Sequence, residues 1–223
     1  MVFISIFIFV TLFRGSLKLW GILSSFIDVP IQRNRRNENK EIKEDKIPQS
    51  FIDNPNKLRQ KDCDARWTKK SNKNEYGYKD HISSDQKTKI ITKYKVTPSS
   101  THDSQVIEDL VDSDDSILYA DSAYKSEKIE TYLKQKTIKS KVIKRAYRNK
   151  RLTNLELKEN RKHSKTRVRV EHIFGTLTQQ MNNALKLTSI GIDRITSSVG
   201  LMNLTYNLVR YEQLVRLKKV RVI

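Results

Sequence analysis

The chain has 223 residues, enough for one domain with a real core and too few for two. It carries 44 Lys and Arg against 25 Asp and Glu, a formal charge of +19. A charge of that size exceeds what solubility requires and points to a polyanionic partner. The single cysteine, Cys63, excludes an internal disulfide and any multi-cysteine zinc site, so a cytoplasmic protein is expected.

Residues 2–13 form an unbroken apolar or weakly polar run, followed after Arg14 and Lys18 by Leu19, Trp20, Gly21, Ile22 and Leu23. A membrane segment over residues 1–27 is disfavoured. The run is shorter than the roughly 18 to 20 residues of a spanning helix, no cationic region precedes it, and it lacks a small-residue cleavage site. A buried strand or helix accounts for it equally well, and so does out-of-phase coding sequence ahead of a truncated frame. Residues 32–58 are polar, with Arg33, Arg35, Arg36, Lys40 and Lys43 interleaved with Glu38, Glu41, Glu44 and Asp45. This reads as a solvated insertion, spanning about 32–60, or a short surface helix.

Tyr76, Tyr78, Asp80 and Ile82, then Ile90, Thr92, Tyr94 and Val96, alternate at period two around a polar turn, which predicts an antiparallel hairpin. A short helix is expected over 102–111, with Val106, Ile107 and Leu110 on one side and Asp103 near its positive end. A compact strand over 117–120 should end at Asp121. Ile129 and Leu133, four apart behind Ser126 as a cap, predict a helix over 126–136. Val142 and Ile143 suggest another strand. A long helix should run over about 154–181 on the stripe Val170, Ile173, Phe174, Leu177 and Met181. A last one should carry Ile195, Val199, Met202, Tyr206 and Val209. This order predicts an α/β domain with a mixed central sheet and no internal repeat.

Asp121 falls where an apolar strand stops, the place where open α/β sheets put ligand groups; an ordinary turn cap would sit there too. Glu171 lies one residue off the apolar stripe with Arg167 four residues before it, which by itself is a common ion-pair spacing. Between positions 134 and 169, fifteen Lys and Arg face only Glu156 and Glu159, a net +13 in 36 residues. That block reads as a phosphate-binding surface, with Lys139, Lys141, Lys144, Arg145, Arg148, Lys150, Arg151, Lys165 and Arg169 as DNA contacts and Tyr147 available to stack on a base.

Seven segments in order resemble one family. They are Asp64-Ala-Arg-Trp-Thr-Lys-Lys, Tyr76-Gly-Tyr-Lys-Asp-His, Thr101-His-Asp-Ser-Gln, Ala120-Asp-Ser-Ala-Tyr, Tyr147-Arg-Asn-Lys, Arg169-Val-Glu-His-Ile-Phe-Gly and Gly200-Leu-Met-Asn-Leu-Thr-Tyr-Asn-Leu. They are similar to the insertion-sequence transposases of the family-five group in the DDE superfamily. The resemblance implies an RNase H-like catalytic domain over 24–217, preceded by a family-unlike segment 1–23 and followed by a basic tail 218–223. It also implies two Mg²⁺ ions held by two aspartates and a glutamate, with DNA as substrate, action as a homodimer, and a place at the bacterial nucleoid. By motif, Asp121 is the second aspartate, Glu171 the glutamate, and Arg167 the arginine that orients phosphate or the glutamate. Thr178 stands where many relatives carry a lysine. The first aspartate aligns with Leu23, so a truncated or degenerate copy with impaired catalysis is expected; a DNA-binding remnant that regulates intact copies is the alternative. Asp28 and Asp64 are weak substitutes, and Asp28 lies an odd number of residues from position 23, which turns it to the other strand face.

Overall fold

The computed structural model describes residues 19–70, 72–112, 115–124, 126–146 and 151–217. The apolar run at residues 1–18, the tail 218–223, and the proposed contacts Tyr147, Arg148 and Lys150 lie outside them.

A single mixed sheet organises the chain. Strand β1 (Leu19–Asp28) is central, with β3 (Lys73–Asp85) antiparallel on one side and β5 (Ile117–Tyr119) parallel on the other. The short β6 (Lys139–Ser140) extends the β5 side in parallel. Along the far edge of β3 lie β2 (Arg66–Lys70), paired with its first half, and β4 (Ile91–Pro98), paired with its second. Antiparallel hairpins on one flank and parallel crossovers on the other give the mixed α/β sheet of an RNase H-like domain, as the sequence predicts.

β1 runs across two of the boundaries drawn from the sequence. The boundary between positions 23 and 24 falls inside this strand, since Trp20 through Asp28 pair continuously with β3. Residues 19–27 are therefore part of the central sheet rather than of a membrane anchor, and no helix among the described residues is long and apolar enough to cross a bilayer. The apolar character of Ile22 and Leu23 is that of a strand covered on both faces.

Each face carries its own core, and β1 alternates between them. Ile22 packs with Leu118, Ile107, Leu110, Tyr124, Ile129 and Leu133, beneath the helices α4 (Ile107–Leu110) and α5 (Glu127–Gln135). Leu23 and Ile27 point the other way, into Tyr78, Ile82, Val170, Ile173, Phe174, Leu177, Ile195 and Val199, beneath the two long helices α6 (Asn154–Gln179) and α7 (Ile192–Arg216). The α6 N-terminus is fixed by a capping box in which Thr153 and Glu156 satisfy each other's backbone N–H groups.

The polar stretch 32–60 is more ordered than its composition suggests. It folds into α1 (Arg36–Lys43), α2 (Gln49–Ile52) and α3 (Pro55–Arg59). Phe51 is fully buried, and the Glu38 carboxylate is enclosed by Lys57 at 2.5 Å, the Arg35 N–H at 2.7 Å and Ser50 at 2.8 Å. These donors hold the Glu38 pKa down to about 2. A lone buried Phe and a paired Glu leave no periodic signature, so the packing of this region cannot be read from its pattern. The strand expected at 142–143 lies instead at 139–140, and Val142 is a core residue beyond its end.

Candidate active site

Asp121 lies two residues past the end of β5. Its Oδ1 accepts a 2.6 Å hydrogen bond from the Ser122 N–H, while the Asp121 carbonyl accepts from Tyr124 N–H at 3.0 Å to close a 3₁₀ turn. Glu171 reaches the same place from α6, and the approach of that helix depends on one glycine. A Cβ on Gly21 would stand 2.4 Å from Val170 Cγ2, so only a glycine lets α6 come this close to β1. Val170 is buried at this contact, which holds its neighbour Glu171 on the rim.

Arg167, one turn before Glu171, bridges the two carboxylates. Its Nη1 lies 3.3 Å from Asp121 Oδ2 and its Nη2 2.9 Å from Glu171 Oε1. All three side chains are partly open to solvent, and the Arg167 Nε is buried without a hydrogen-bond partner. They line a cleft of about 280 Å³ together with Leu23, Ser24, Lys70, Asp103 and Phe174.

The register of β1 on β5 identifies the apolar position in this cleft. The pairing of the two strands ends at Gly21 and Tyr119, and two residues beyond each, Leu23 and Asp121 line the same cleft. Leu23 packs against the α6 core and offers no ligand atom. Neither substitute stands in for it. Asp28 is five residues along on the opposite face, where its main chain pairs with Leu185 and Leu187. Asp64 has its Oδ2 committed to the Ile192 N–H at 3.0 Å, and with Asp62, which takes the Gly191 N–H, it caps α7. Thr178 turns its hydroxyl back to the Phe174 carbonyl.

Along α6, Asn160, His163, Arg167 and Glu171 form one line facing the sheet. Asn160 holds the Lys144 main chain, and the His163 ring meets Tyr119 edge-on at 5.9 Å. Burial lowers the His163 pKa, so its ring favours the neutral form. Lys141 lies over the Tyr119 ring, 5.4 Å from its centre. Sequence reasoning gave no site role to His163, Asn160, Lys70 or Asp103; for Asn160 and His163 the three-and-four spacing with 167 and 171 was the available signal, while Lys70 and Asp103 stood in two of the family-like segments.

Among its described residues the basic block does not form one surface. Lys165 and Arg169 are each two residues from Arg167, about 160° around the helix at 100° per residue, so they are exposed on the opposite side from the cleft. Lys144 is drawn into pairs with Glu159 at 3.0 Å and Glu156 at 3.6 Å. Lys139, Arg145 and Arg151 are exposed.

Carboxylate oxygens are the donors a hard divalent cation prefers, and Asp121 and Glu171 present them within reach of one guanidinium. Their number falls short. Among the described residues no cluster of three or more His, Cys, Asp or Glu side chains is placed to hold a metal.

A strand-borne aspartate, a helix-borne glutamate and an RNase H-like sheet together define a DDE-type domain, and the chain belongs to the transposase DDE domain family, which it matches over residues 35–208. It is 32% identical over 152 residues to the transposase for insertion sequence element IS1106 of Neisseria meningitidis serogroup B, covering 67% of this chain and 52% of that protein. The chain thus spans about half the length of this curated relative. No solved structure gives a significant match. The family match begins after β1, so the strand carrying Leu23 lies outside it.

Proposed function

We propose that this chain is a DNA transposase domain of the insertion-sequence family-five group, built for Mg²⁺-dependent strand cleavage and strand transfer at transposon ends, and that its catalysis is strongly impaired. The observation that supports both halves is the meeting of Asp121 and Glu171 across Arg167 with Leu23 alongside.

Asp121 and Glu171 would hold the metal. When bound, Mg²⁺ activates the attacking oxygen and neutralises the leaving one in an in-line phosphoryl displacement. The chain's own residues do the rest. Arg167 balances the two carboxylates in the free protein and can turn its guanidinium to a phosphate when DNA arrives, a bidentate partner for either. Lys70 at the cleft mouth and Lys139 and Lys141 at the sheet edge attract the backbone. Leu23 supplies no oxygen where a third carboxylate would complete the set. A homodimer acting on two DNA ends at the bacterial nucleoid follows from the same family reading.

A Mg²⁺-dependent nicking assay on DNA carrying the element's ends tests this. We expect salt-sensitive binding and only trace cleavage, and Asp121→Ala should remove the trace. Robust cleavage by the unaltered chain that disappears in Asp121→Ala overturns the claim of impairment. Tight, salt-sensitive binding with no turnover at all favours the second reading, which Leu23 also supports: a remnant that competes with intact transposase copies for DNA.

A further inference from the structure

Helix α6 carries cations on the face turned away from the carboxylate cleft. Lys158, Arg161, Lys162, Lys165 and Arg169 fall within an arc of about 100° when each residue is turned by about 100° from the last. His172, Thr176 and Gln180 continue the same arc to the C-cap. All five cations are exposed, and none has a carboxylate partner among the described residues. The acids of this helix lie outside the arc: Glu156 and Glu159 reach Lys144, and Glu171 lines the cleft. A solvated helix face normally mixes the two signs, so an arc of one sign calls for an anionic partner.

The arc ends at a pocket of about 240 Å³ lined by His172 and Thr176 of α6, Arg210 and Gln213 of α7, and Lys89 of the turn between β3 and β4. It shares no residue with the carboxylate cleft, and no Asp or Glu is among its lining residues. Arg210 is held in place by its Nε, which donates to the Thr88 carbonyl at 2.7 Å, and by its Nη1, which donates to Gln213 Oε1 at 3.1 Å. Its Nη2 is left without a partner among the described residues. The turn is pinned as well, since the Tyr206 hydroxyl donates to the Lys89 carbonyl at 3.1 Å. Two cationic side chains and a histidine around a small polar space suit a tetrahedral oxyanion such as a phosphate.

We propose that this outer face of α6 binds a second DNA duplex along its phosphate backbone while a first lies in the carboxylate cleft, with one phosphate of the second seated between Lys89, His172 and Arg210. The inference rests on the transposase reading. From position 158 to position 180 the arc is about 33 Å long at ~1.5 Å per residue, the rise of about ten base pairs. No Phe, Tyr, Trp or aliphatic side chain falls in the arc between those positions. A single strand would find no ring to stack on there and a protein partner no apolar anchor, whereas a duplex backbone needs only charge. Arg167 and Glu171 point the other way, so the body of the helix keeps the two duplexes apart. Phosphate contacts carry no sequence information, so a duplex of any sequence should serve.

The test counts, by titration calorimetry at low salt, how many mixed-sequence duplexes of about 12 base pairs the full chain binds. The unaltered protein should take two per chain, a ratio that self-association does not change. The combined variant Lys158→Gln, Arg161→Gln, Lys165→Gln, Arg169→Gln should take one, and the site that remains should keep its affinity. Lys165→Arg with Arg169→Lys preserves the charge and should keep both sites, which separates lost contacts from a damaged helix. Lys89→Asn, a residue that tolerates the positive φ of 62° at that position, should weaken the second site about tenfold, the loss of one charge-assisted contact. A single strand of the same sequence should bind the outer face more weakly than the duplex. If the unaltered protein takes only one duplex per chain, if the combined variant takes two or none, or if the outer face prefers the single strand, the second surface is overturned while the transposase reading stands. If the unaltered chain binds no DNA, both fall.

Discussion

Strands β1 and β5 run parallel and bring opposite chemistry to one cleft: Asp121 lies two residues past the end of β5, and Leu23, in the middle of β1, lines the same cleft. Everything that positions the second group also positions the first. Gly21 admits α6, Val170 docks on it, and Leu23 sits under the same helix as a carboxylate there would. The contrast teaches that the frame of this cleft is independent of its ligands. Its stability comes from two apolar cores that an aspartate at the rim would hardly alter, so a copy can lose a catalytic oxygen and keep the fold.

The most direct way to break the contrast is Leu23→Asp. It would place a third carboxylate beside Asp121, and Mg²⁺-dependent nicking should rise by about 10²-fold or more, the equivalent of the several kcal/mol a bound metal supplies. Three acidic groups around one arginine also repel, so the variant should melt lower without Mg²⁺ and recover when it is added. If neither nicking nor the Mg²⁺-dependence of melting changes, position 23 is not where the missing ligand belongs.

Behind the β1 side of the cleft lies a second acid whose effect is on stability. Asp80 pairs with Ser25 in register and is completely buried; one oxygen accepts from Asn203 Nδ2 at 3.3 Å and the other has no partner. Burial raises its pKa to about 7 against 3.8 for the unperturbed group, the Asn203 contact opposing this only in part. A folded-state pKa above the unfolded one means that the contribution is fully present below about pH 4 and is lost as pH rises through about 7. Asp80→Asn removes that dependence. Relative to the unaltered chain, it should gain about 2–3 kcal/mol between pH 5 and pH 7, read from urea midpoints at the two values. Equal midpoint differences at both pH values would show that Asp80 is not buried as a neutral acid.

How far this arrangement was legible in the sequence differs by element. The hairpin, β5, α5 and the two long helices announced themselves through period two and period three-to-four patterns, because each buries one face against a sheet. Asp121 and Glu171 were legible only in combination, through a motif order no single position carries. Asp64 was readable as an acidic motif residue but not as the cap of α7, because its partner is the N–H of Ile192, more than a hundred residues away. Glu38 and Phe51 were illegible for a related reason: their surroundings are assembled from short helices that no local pattern specifies.

Gly21→Ala attacks the frame itself. The added methyl would overlap the stiff, buried Val170 side chain, and α6 would have to retreat from β1. A cost of about 1–3 kcal/mol is expected by chemical denaturation. The displaced helix should also carry Glu171 away from Asp121, so any activity restored by Leu23→Asp should fall in the double variant. A stable Gly21→Ala chain that keeps that activity would mean α6 is positioned by other contacts.

The smallest effect expected separates lysines that look alike in sequence. Lys141 lies over Tyr119 with no carboxylate paired to it among the described residues, whereas Lys144 is paired with Glu156 and Glu159, which raise its pKa and cancel its field. A lysine that releases a counterion from DNA contributes about 0.9 to the slope of log affinity against log salt, while one already neutralised by the protein contributes little. Lys141→Ala should therefore flatten the slope by close to one such unit, and Lys144→Ala by less than about half of one. Such a pair of slopes would place the DNA path across β5 and β6 toward Asp121; equal slopes would mean that the Lys144 pairs open when DNA binds and that the basic block acts as a whole.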